Sequence, residues 1–199
     1  MFRYHRQGYM KIRDIDFGFV ILNVDRNKIG LKATANSIKA NYAQNFICVV
    51  DSNIDKNDFD DMNLICKTYK SKETIDKKME PLDIVPSLLN KGIKESEKDW
   101  NFFVISGSYI RPNLKKKFDL FVKHDREVFY PVFDNKYTFS KASVNGLLIH
   151  KKAIEEVGEW PTKMWKENQS PLQLSKDFWY KQAIENGFVF KGIAGMRLC

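Results

Sequence analysis

The sequence predicts a single α/β domain with a mostly parallel central sheet flanked by helices. Several short runs are almost continuously apolar and rich in β-branched and aromatic residues, which is typical of strands buried on both faces of a parallel sheet. These runs alternate along the chain with segments of helical periodicity. A chain of 199 residues that is 43% hydrophobic also carries enough apolar surface to form one core.

The first strand, helix and second strand form a βαβ unit. Residues 17–24 (FGFVILNV) and 46–50 (FICVV) are the apolar runs that predict the two strands. Between them, residues 28–42 place apolar side chains at intervals of four, three and four, which puts these side chains on one helix face. A right-handed crossover then makes the two strands parallel.

The remaining elements follow from the same patterns. We predict strands at residues 62–69, 100–105, 128–133 and 143–149, and helices at 82–97, after Pro112, at 151–157 and at 175–186. Ser175 is the expected N-cap of the last helix, and residues 159–174 are expected to form a long lid or binding loop. We assign residues 1–16 to a basic N-terminal tail or extension and residues 17–199 to the domain.

Charge and cysteine content narrow the class of protein. The net charge of +8 favours an anionic partner such as nucleotide phosphates, nucleic acid or a membrane surface. Nucleic acid has the weaker support, because no recognised binding motif accompanies the charge. The three cysteines lack paired or metal-ligand spacing, and no apolar run approaches the roughly 20 residues of a membrane span. We therefore expect a cytoplasmic protein.

Ligands of open parallel sheets bind outside the carboxyl ends of the strands, so the residues that follow each strand are the candidate site. Polar residues stand at the ends of three predicted strands: Asn23 and Asp25 at the first, Asp51 at the second, and Ser106 and Ser108 at the fourth. A fourth polar residue, Asn145, lies near the beginning of a later strand. No glycine-rich dinucleotide fingerprint and no P-loop follows a strand, which argues against these two modes of phosphate binding.

The order of these elements and several motifs resemble the family 2 glycosyltransferases of the GT-A fold. The resemblance covers residues 17–197, and its most specific stretch is 145–153 (NGLLIHKKA) continuing to 157–160 (VGEW). Residues 22–25 (LNVD) resemble the family's turn after the first strand, and 51–53 (DSN) resemble its acidic turn after the second strand. Residues 175–178 (SKDF), with Gly187 ten residues after Asp177, resemble its Glu-Asp helix.

The resemblance implies a function and a role for each candidate. It implies binding of a nucleotide-diphospho-sugar and transfer of the sugar to an acceptor, which is an unidentified glycan, lipid or protein. The implied donor-nucleotide contacts are Asn23, Asp25, Asp51, Ser106 and Ser108. Asp177 is implied as the catalytic base, with Asn145 and Trp160 as acceptor or sugar contacts. Simpler interpretations remain for Asp51 as a turn former, Asp177 as a helix-dipole residue and Trp160 as a loop anchor.

The sequence departs from this family at its metal site. The family carries Asp-x-Asp after the fourth strand to hold a divalent cation, Mn²⁺ or Mg²⁺, whereas residues 106–108 here are Ser-Gly-Ser. Hydroxyls are poor substitutes for carboxylates around such cations. Three alternatives follow: basic side chains such as Arg111 neutralise the diphosphate, a carboxylate arrives from elsewhere, or the domain binds a nucleotide or glycan without catalysis.

Overall fold

The computed structural model describes residues 14–24, 28–42, 47–51, 67–70, 81–132, 144–164, 166 and 169–194, with the backbone alone at 47–51, 67–70, 81 and 82. In this part of the chain seven strands form one sheet in the order β3-β2-β1-β4-β6-β5-β7. Strand β6 is antiparallel to both of its neighbours, and the other neighbouring pairs are parallel. The prediction of a mostly parallel sheet is therefore confirmed. The strands are β1 (Phe17–Asn23), β2 (Ile47–Asp51), β3 (Lys67–Lys70), β4 (Trp100–Ile105), β5 (Glu127–Val132), β6 (Leu148–His150) and β7 (Val189–Ala194).

Helices cover both faces of the sheet. The helices are α1 (Lys28–Asn41), a 3₁₀ turn (Pro81–Ile84) that leads into α2 (Val85–Glu95), α3 (Leu114–Phe121), α4 (Lys152–Val157) and α5 (Pro171–Glu185). Side chains of α1 and α3 share one core cluster with Phe17, Phe19 and Ile21 of β1. Side chains of α2, α4 and α5 share the other cluster with Val20 and Leu22.

Strand β1 shows why the first predicted strand is apolar at nearly every position. Successive side chains of a strand point to opposite faces, and both faces of β1 are covered by helices. All seven β1 residues are consequently buried. Each fully buried Phe, Leu or Ile contributes about 1.5–3 kcal/mol to folding relative to an exposed side chain. A polar residue in the middle of β1 would forfeit this contribution, which accounts for the unbroken apolar pattern.

Helix α5 begins earlier than the sequence pattern indicates. Ser170, rather than Ser175, is the N-cap, and its hydroxyl accepts a hydrogen bond of 3.1 Å from the backbone N–H of Gln173. Pro171 follows at the first helical position, where its missing N–H costs nothing. Residues 171–174 are thus helical instead of belonging to a long loop, and Asp177 lies in the second turn of α5 rather than the first.

Two other boundaries differ from expectation, and one strand was not predicted. The predicted strand at 143–149 is only Leu148–His150, because residues 144–147 turn through Gly146, whose φ is +88°. Strand β7 was not predicted, since only Ile193 among its residues is buried and its apolar pattern is weak. Helix α3 begins at Leu114, two residues after Pro112. Residues 62–66 of the predicted third strand lie outside the described residues.

The packed domain begins before residue 17. Ile15 is 5% exposed and belongs to the core cluster beneath α1 and α3. Its backbone N–H donates a 2.8 Å hydrogen bond to Asp119 in α3. The boundary drawn after residue 16 is therefore at least two residues too late, and residues 1–13 lie outside the described residues. In the described helices we find none that is both long and apolar enough to cross a membrane.

Candidate active site

The ends of β1, β2 and β4 meet at one edge of the sheet, here called the carboxyl edge. Asn23 and Asp51, the last residues of β1 and β2, are direct partners in the parallel register. The pairing of β1 with β4 continues past the strands, where Ser106 donates a 3.0 Å backbone hydrogen bond to Leu22. The structure thus brings Asn23, Asp51 and the turn at 106–108 together. Asp25 and residues 52–53 lie outside the described residues.

Helix α1 holds the 106–108 turn on one side. The Thr34 hydroxyl accepts a 3.0 Å hydrogen bond from the N–H of Gly107 and donates a 2.8 Å hydrogen bond to the carbonyl oxygen of Ser108. Gly107 is exposed and has a φ of +90°, a backbone conformation that residues with a Cβ rarely adopt. The backbone of the turn is therefore fixed, and its tip faces solvent.

Asn145 holds the same turn from the other side. Its side-chain oxygen accepts a 2.9 Å hydrogen bond from the N–H of Ile105, and its side-chain nitrogen donates a 3.1 Å hydrogen bond to the Ser108 hydroxyl oxygen. A hydroxyl that accepts from an amide keeps its own hydrogen for donation to another group. Ser108 is half-buried, so its hydroxyl lies at the surface of the edge. The contacts of Asn145 are with the protein's own turn, and its predicted role as an acceptor or sugar contact stays a prediction.

The donor set of this turn does not fit a divalent metal. Mg²⁺ and Mn²⁺ favour carboxylate and other oxygen ligands that offset the cost of dehydration, and the turn supplies two hydroxyls and a glycine. Among the described residues there is also no group of three or more His, Cys, Asp and Glu side chains placed to hold a metal. The backbone N–H groups of Ser106, Gly107 and Ser108 all donate within the protein, so the donor that the turn offers at its surface is the Ser108 hydroxyl, which suits a phosphate oxygen.

Asp177 lies on α5, in the half of that helix nearer the carboxyl edge. Helix α5 ends at Glu185, shortly before β7 begins, and Val189 of β7 pairs with Glu127 at the start of β5. The C-terminal end of α5 is therefore at the opposite, amino edge of the sheet. Asp177 is exposed, and both of its carboxylate oxygens lie 2.8 Å from the side-chain nitrogen of Gln173. These contacts are with the preceding turn of the same helix, and the predicted role of Asp177 as catalytic base stays a prediction.

The backbone of the segment that carries Arg111 leaves the carboxyl edge, and the predicted contact of Arg111 with a diphosphate stays a prediction. After the turn, the chain runs alongside α1 away from the carboxyl edge: Ile110 donates a 3.2 Å hydrogen bond to Ser37, and the Arg111 carbonyl accepts a 2.6 Å hydrogen bond from the Tyr42 hydroxyl. Tyr42 follows Thr34 by eight residues, or about 12 Å of helix. The Tyr42 ring packs 5.2 Å from Phe19, near the start of β1. Arg111 is thus displaced toward the amino edge.

Trp160 is a core residue in this structure, which corrects its assignment as a sugar contact. Its side chain is 1% exposed, and its ring stacks on Trp179 with centroids 4.6 Å apart and an interplanar angle of 9°. The Asn90 side chain exchanges two 2.8 Å hydrogen bonds with the backbone of Trp160. Since its ring is covered by neighbouring aromatic side chains, Trp160 anchors the segment after α4 to α2 and α5.

Sequence reasoning missed Thr34 and gave Lys176 no role. Thr34 is fully buried, and it lies within the apolar face of α1, three residues after Leu31. A threonine in that position was the available signal, because a buried hydroxyl requires hydrogen-bond partners. Lys176 precedes Asp177 and is 7% exposed, although the sequence alone indicates an ordinary surface lysine.

Comparison with known proteins supports the fold. No family model matches the sequence, and no curated protein matches it. Among solved structures, a 1–349 fragment of TarS from S. aureus matches 91% of this chain and 58% of its own length, with a TM-score of 0.61 and 13% identity. The same fragment in complex with UDP-GlcNAc gives a TM-score of 0.59 at 14% identity, over 91% of this chain and 56% of that chain.

A third structure is the mannosyltransferase PcManGT from Pyrobaculum calidifontis in complex with GDP-Man and Mn²⁺. It matches 92% of this chain and 56% of its own length, with a TM-score of 0.65 and 9% identity. The chain therefore spans a little over half the length of these neighbours. At such low identity the likeness establishes the fold, which is of the GT-A glycosyltransferase type.

Proposed function

Because the chain has a GT-A-type fold, we propose that it binds a nucleotide-diphospho-sugar and transfers the sugar to an acceptor hydroxyl. The observation that carries this proposal is the convergence of Asn23, Asp51 and the 106–108 turn at one sheet edge, with Asp177 on the helix that approaches the same edge. Ligands of open parallel sheets bind at this edge. The neighbours solved with UDP-GlcNAc and GDP-Man are consistent with such a donor.

The nucleoside would lie against the ends of β1 and β2. Asp51 is the proposed contact to the ribose or base, because a carboxylate accepts hydrogen bonds from ribose hydroxyls and from base N–H groups. Asn23, beside it in the register, and Asp25 complete the proposed nucleoside contacts. The adjacent 106–108 turn is the proposed diphosphate contact, with Ser106 and Ser108 donating from their hydroxyls. Thr34 and Asn145 keep the turn in place for this role.

The proposed chemistry needs a base and a stabilised leaving group. In the inverting form of the reaction, Asp177 takes the proton of the acceptor hydroxyl while the acceptor oxygen bonds to the anomeric carbon. The bond from that carbon to the diphosphate oxygen breaks, and the nucleoside diphosphate leaves with the electron pair. Hydrogen bonds from the 106–108 turn would stabilise the charge that develops on the leaving oxygen.

The test is a thermal-shift screen of the purified chain against UDP- and GDP-sugars, each with Mn²⁺ and with EDTA. A ligand that binds the native state raises its apparent stability. We expect at least one nucleotide sugar to raise Tm, and most of this increase to persist in EDTA, because the turn carries no carboxylate. No increase with any donor in either condition would contradict the proposal.

Two variants test whether the donor binds at the candidate site. Asp51→Ala should weaken donor binding by about 1–3 kcal/mol if the carboxylate accepts ribose or base hydrogen bonds. Asp99→Ala is the matched control, since Asp99 is exposed and pairs with Lys151 beside the start of β4, at the amino edge. Equal losses in both variants would show that the effect of Asp51 is not local to the site.

A second candidate function is a non-catalytic domain that binds a nucleotide or glycan. The specific observation that favours it is the neutral 106–108 turn, which lacks the carboxylates of the metal-dependent family. Slow release of free sugar from the bound donor, without an added acceptor, separates the two functions. An active transferase is expected to hydrolyse the donor slowly in water, and Asp177→Asn should abolish this hydrolysis.

A further inference from the structure

The outward side of helix α3 carries apolar and basic side chains together. Leu120 and Phe121, at the end of the helix, are 47% and 46% exposed. Lys116 and Lys117 precede them by four residues each, a spacing that places each pair on the same side of a helix. An open cavity of about 360 Å³ lies in this surface, lined in part by Lys116 and Leu120. We define the α3 face as Lys116, Lys117, Leu120, Phe121 and the following Lys123.

The lysines of the α3 face keep their positive charge uncompensated. The Lys117 ammonium donates a 2.9 Å hydrogen bond to the backbone carbonyl oxygen of Ala194. The Lys123 ammonium donates one of 2.7 Å to the backbone carbonyl oxygen of Leu120. Both acceptors are neutral, so these contacts orient the lysine side chains without cancelling their charge.

Carboxylates close to the α3 face are matched by other lysines. Asp119 in α3 and Asp14, which precedes β1, both pair with Lys115. Shortly after the helix, Asp125 pairs with Lys152 at 2.9 Å. The α3 face is therefore a positively charged surface that surrounds two exposed apolar side chains.

Exposed apolar side chains on helix α5 lie in a different electrostatic setting. Phe178 and Ile184 are 47% and 49% exposed, much as Leu120 and Phe121 are. Phe178 follows Asp177, and Ile184 precedes Glu185. Single exposed apolar residues are normal on protein surfaces. What distinguishes the α3 face is the combination of adjacent apolar side chains with uncompensated lysines.

Charge complementarity selects the partner that fits this surface. The chain's own segment before Asp14 is a poor occupant, because residues 1–13 include four Lys or Arg residues and no acidic residue, and like charges repel. Nucleic acid would match the lysines, but its phosphates gain nothing from an aliphatic side chain such as Leu120. An anionic lipid surface suits both groups, since its headgroups attract lysines and its acyl boundary takes up apolar side chains.

We propose that the α3 face binds peripherally to a membrane surface that contains anionic lipids. Leu120 and Phe121 enter the boundary between headgroups and acyl chains, and the three lysines lie against lipid phosphates. Helix α3 begins at the amino edge, where the N–H of Leu114 donates a 2.8 Å hydrogen bond to the Tyr42 hydroxyl. A bound membrane would thus leave the carboxyl edge accessible. This inference does not depend on the proposed sugar transfer.

The test measures co-sedimentation of the purified chain with lipid vesicles in low and high salt. One set of vesicles is phosphatidylcholine alone, and the other is equal parts of phosphatidylcholine and phosphatidylglycerol. The first variant, Lys116→Gln with Lys123→Gln, removes two charges from the α3 face. Its control, Lys94→Gln with Lys181→Gln, removes two charges from lysine side chains on α2 and α5 that are 59% and 74% exposed.

A second variant tests the apolar side chains separately. Leu120→Gln with Phe121→Gln removes the groups that would enter the lipid and keeps every charge. Phe178→Gln with Ile184→Gln is its control, because these side chains on α5 are exposed to a similar degree. Unfolding curves are measured for all four proteins, and if the Leu120 and Phe121 variant is not folded, the lysine variant decides the test.

We expect the parent to bind the anionic vesicles, to bind phosphatidylcholine alone far more weakly, and to lose binding in high salt as ions screen the lysines. The lysine variant should lose about fivefold in partition coefficient for each lysine removed. The apolar variant should lose about tenfold or more, because less apolar surface enters the lipid. Both controls should bind much as the parent does.

The inference is overturned if the parent does not bind the anionic vesicles, or if each variant loses no more than its control. A parallel titration with single- and double-stranded oligonucleotides identifies the competing partner. Binding to an oligonucleotide without binding to the vesicles would assign the lysines of the α3 face to nucleic acid and would also overturn the inference.

Discussion

Asn145 and Ser108 are joined by a 3.1 Å hydrogen bond from the asparagine side-chain nitrogen to the serine hydroxyl oxygen. The same asparagine accepts a 2.9 Å hydrogen bond from the N–H of Ile105, the last residue of β4. One side chain therefore accepts the hydrogen bond of the last N–H of the strand and orients the hydroxyl of the following turn. Any ligand that contacts Ser108 depends on this arrangement.

Asn145→Ala removes both hydrogen bonds and leaves the N–H of Ile105 without its acceptor. We expect a loss of about 1–3 kcal/mol in the free energy of unfolding, the cost of an unsatisfied polar group at a largely buried strand end. Urea denaturation measures it. Asn186→Ala, at an exposed position that follows α5, is the control and should lose less. Equal losses in the two variants would contradict the role of Asn145 as a structural support of the turn.

Trp160→Ala removes a buried ring that stacks on Trp179. We expect a loss of about 3–5 kcal/mol in unfolding free energy, which is typical of truncating a buried aromatic side chain. Tyr109→Ala, at a site that is 52% exposed, is the control and should change stability far less. If Trp160→Ala keeps its stability and instead loses affinity for a sugar, the assignment of Trp160 as a sugar contact is correct after all.

Asp177→Asn keeps the shape of the side chain but cannot take a proton at neutral pH. We expect turnover to fall about 10²–10⁴-fold with donor affinity nearly intact, the contribution typical of a general base. Because Asp177 is exposed, unfolding free energy should change by about 0.5 kcal/mol or less. Glu185→Gln, at an exposed position of the same helix, removes the same charge and should leave turnover unchanged. Turnover equal to that of the parent would remove Asp177 as the base.

Because of His150, we expect the free energy of unfolding to depend on pH. Burial lowers its pKa below the ordinary 6.5, an effect that outweighs the favourable charges of Asp99 and Asp125, and Lys151 lowers it further. The folded state therefore binds the imidazole proton of His150 less tightly than the unfolded state does. The neutral ring contributes its full stability above pH 6.5, and this contribution is lost as the pH falls below that value. Urea titrations from pH 8 to 5 should show this loss.

His150→Gln is the matched variant for that titration, since it removes the titrating ring and keeps a polar side chain. Its loss of stability over the same pH range should be smaller than that of the parent. His150 packs edge-on against Trp100 with ring centroids 5.0 Å apart, so the variant is also expected to be less stable at pH 8. Parallel curves for the two proteins would show that His150 does not cause the dependence.

Local patterns were sufficient to predict most of the fold. Strands β1 and β4 are apolar at nearly every position because both faces of the sheet are covered, and α1 shows the spacing of a helix with one buried face. The rule that ligands of parallel sheets bind at the carboxyl ends of the strands also placed Asn23 and Asp51 in one candidate site, and the structure makes them partners in the β1–β2 register. These features depend on residues that are near one another in the chain, or on a general property of parallel sheets.

Other features depend on the path of the chain after each strand, and only the tertiary structure decided them. Arg111 is three residues from Ser108 in sequence, but the hydrogen bonds of Ile110 with Ser37 and of Arg111 with Tyr42 hold the backbone of this segment toward the amino edge. Trp160 resembles a binding residue in sequence, yet its ring is covered by Trp179 of α5. The burial of Lys176 likewise arises from how α5 packs on the sheet. Contacts between residues distant in sequence set these environments, and composition and periodicity carry no information about which partners meet.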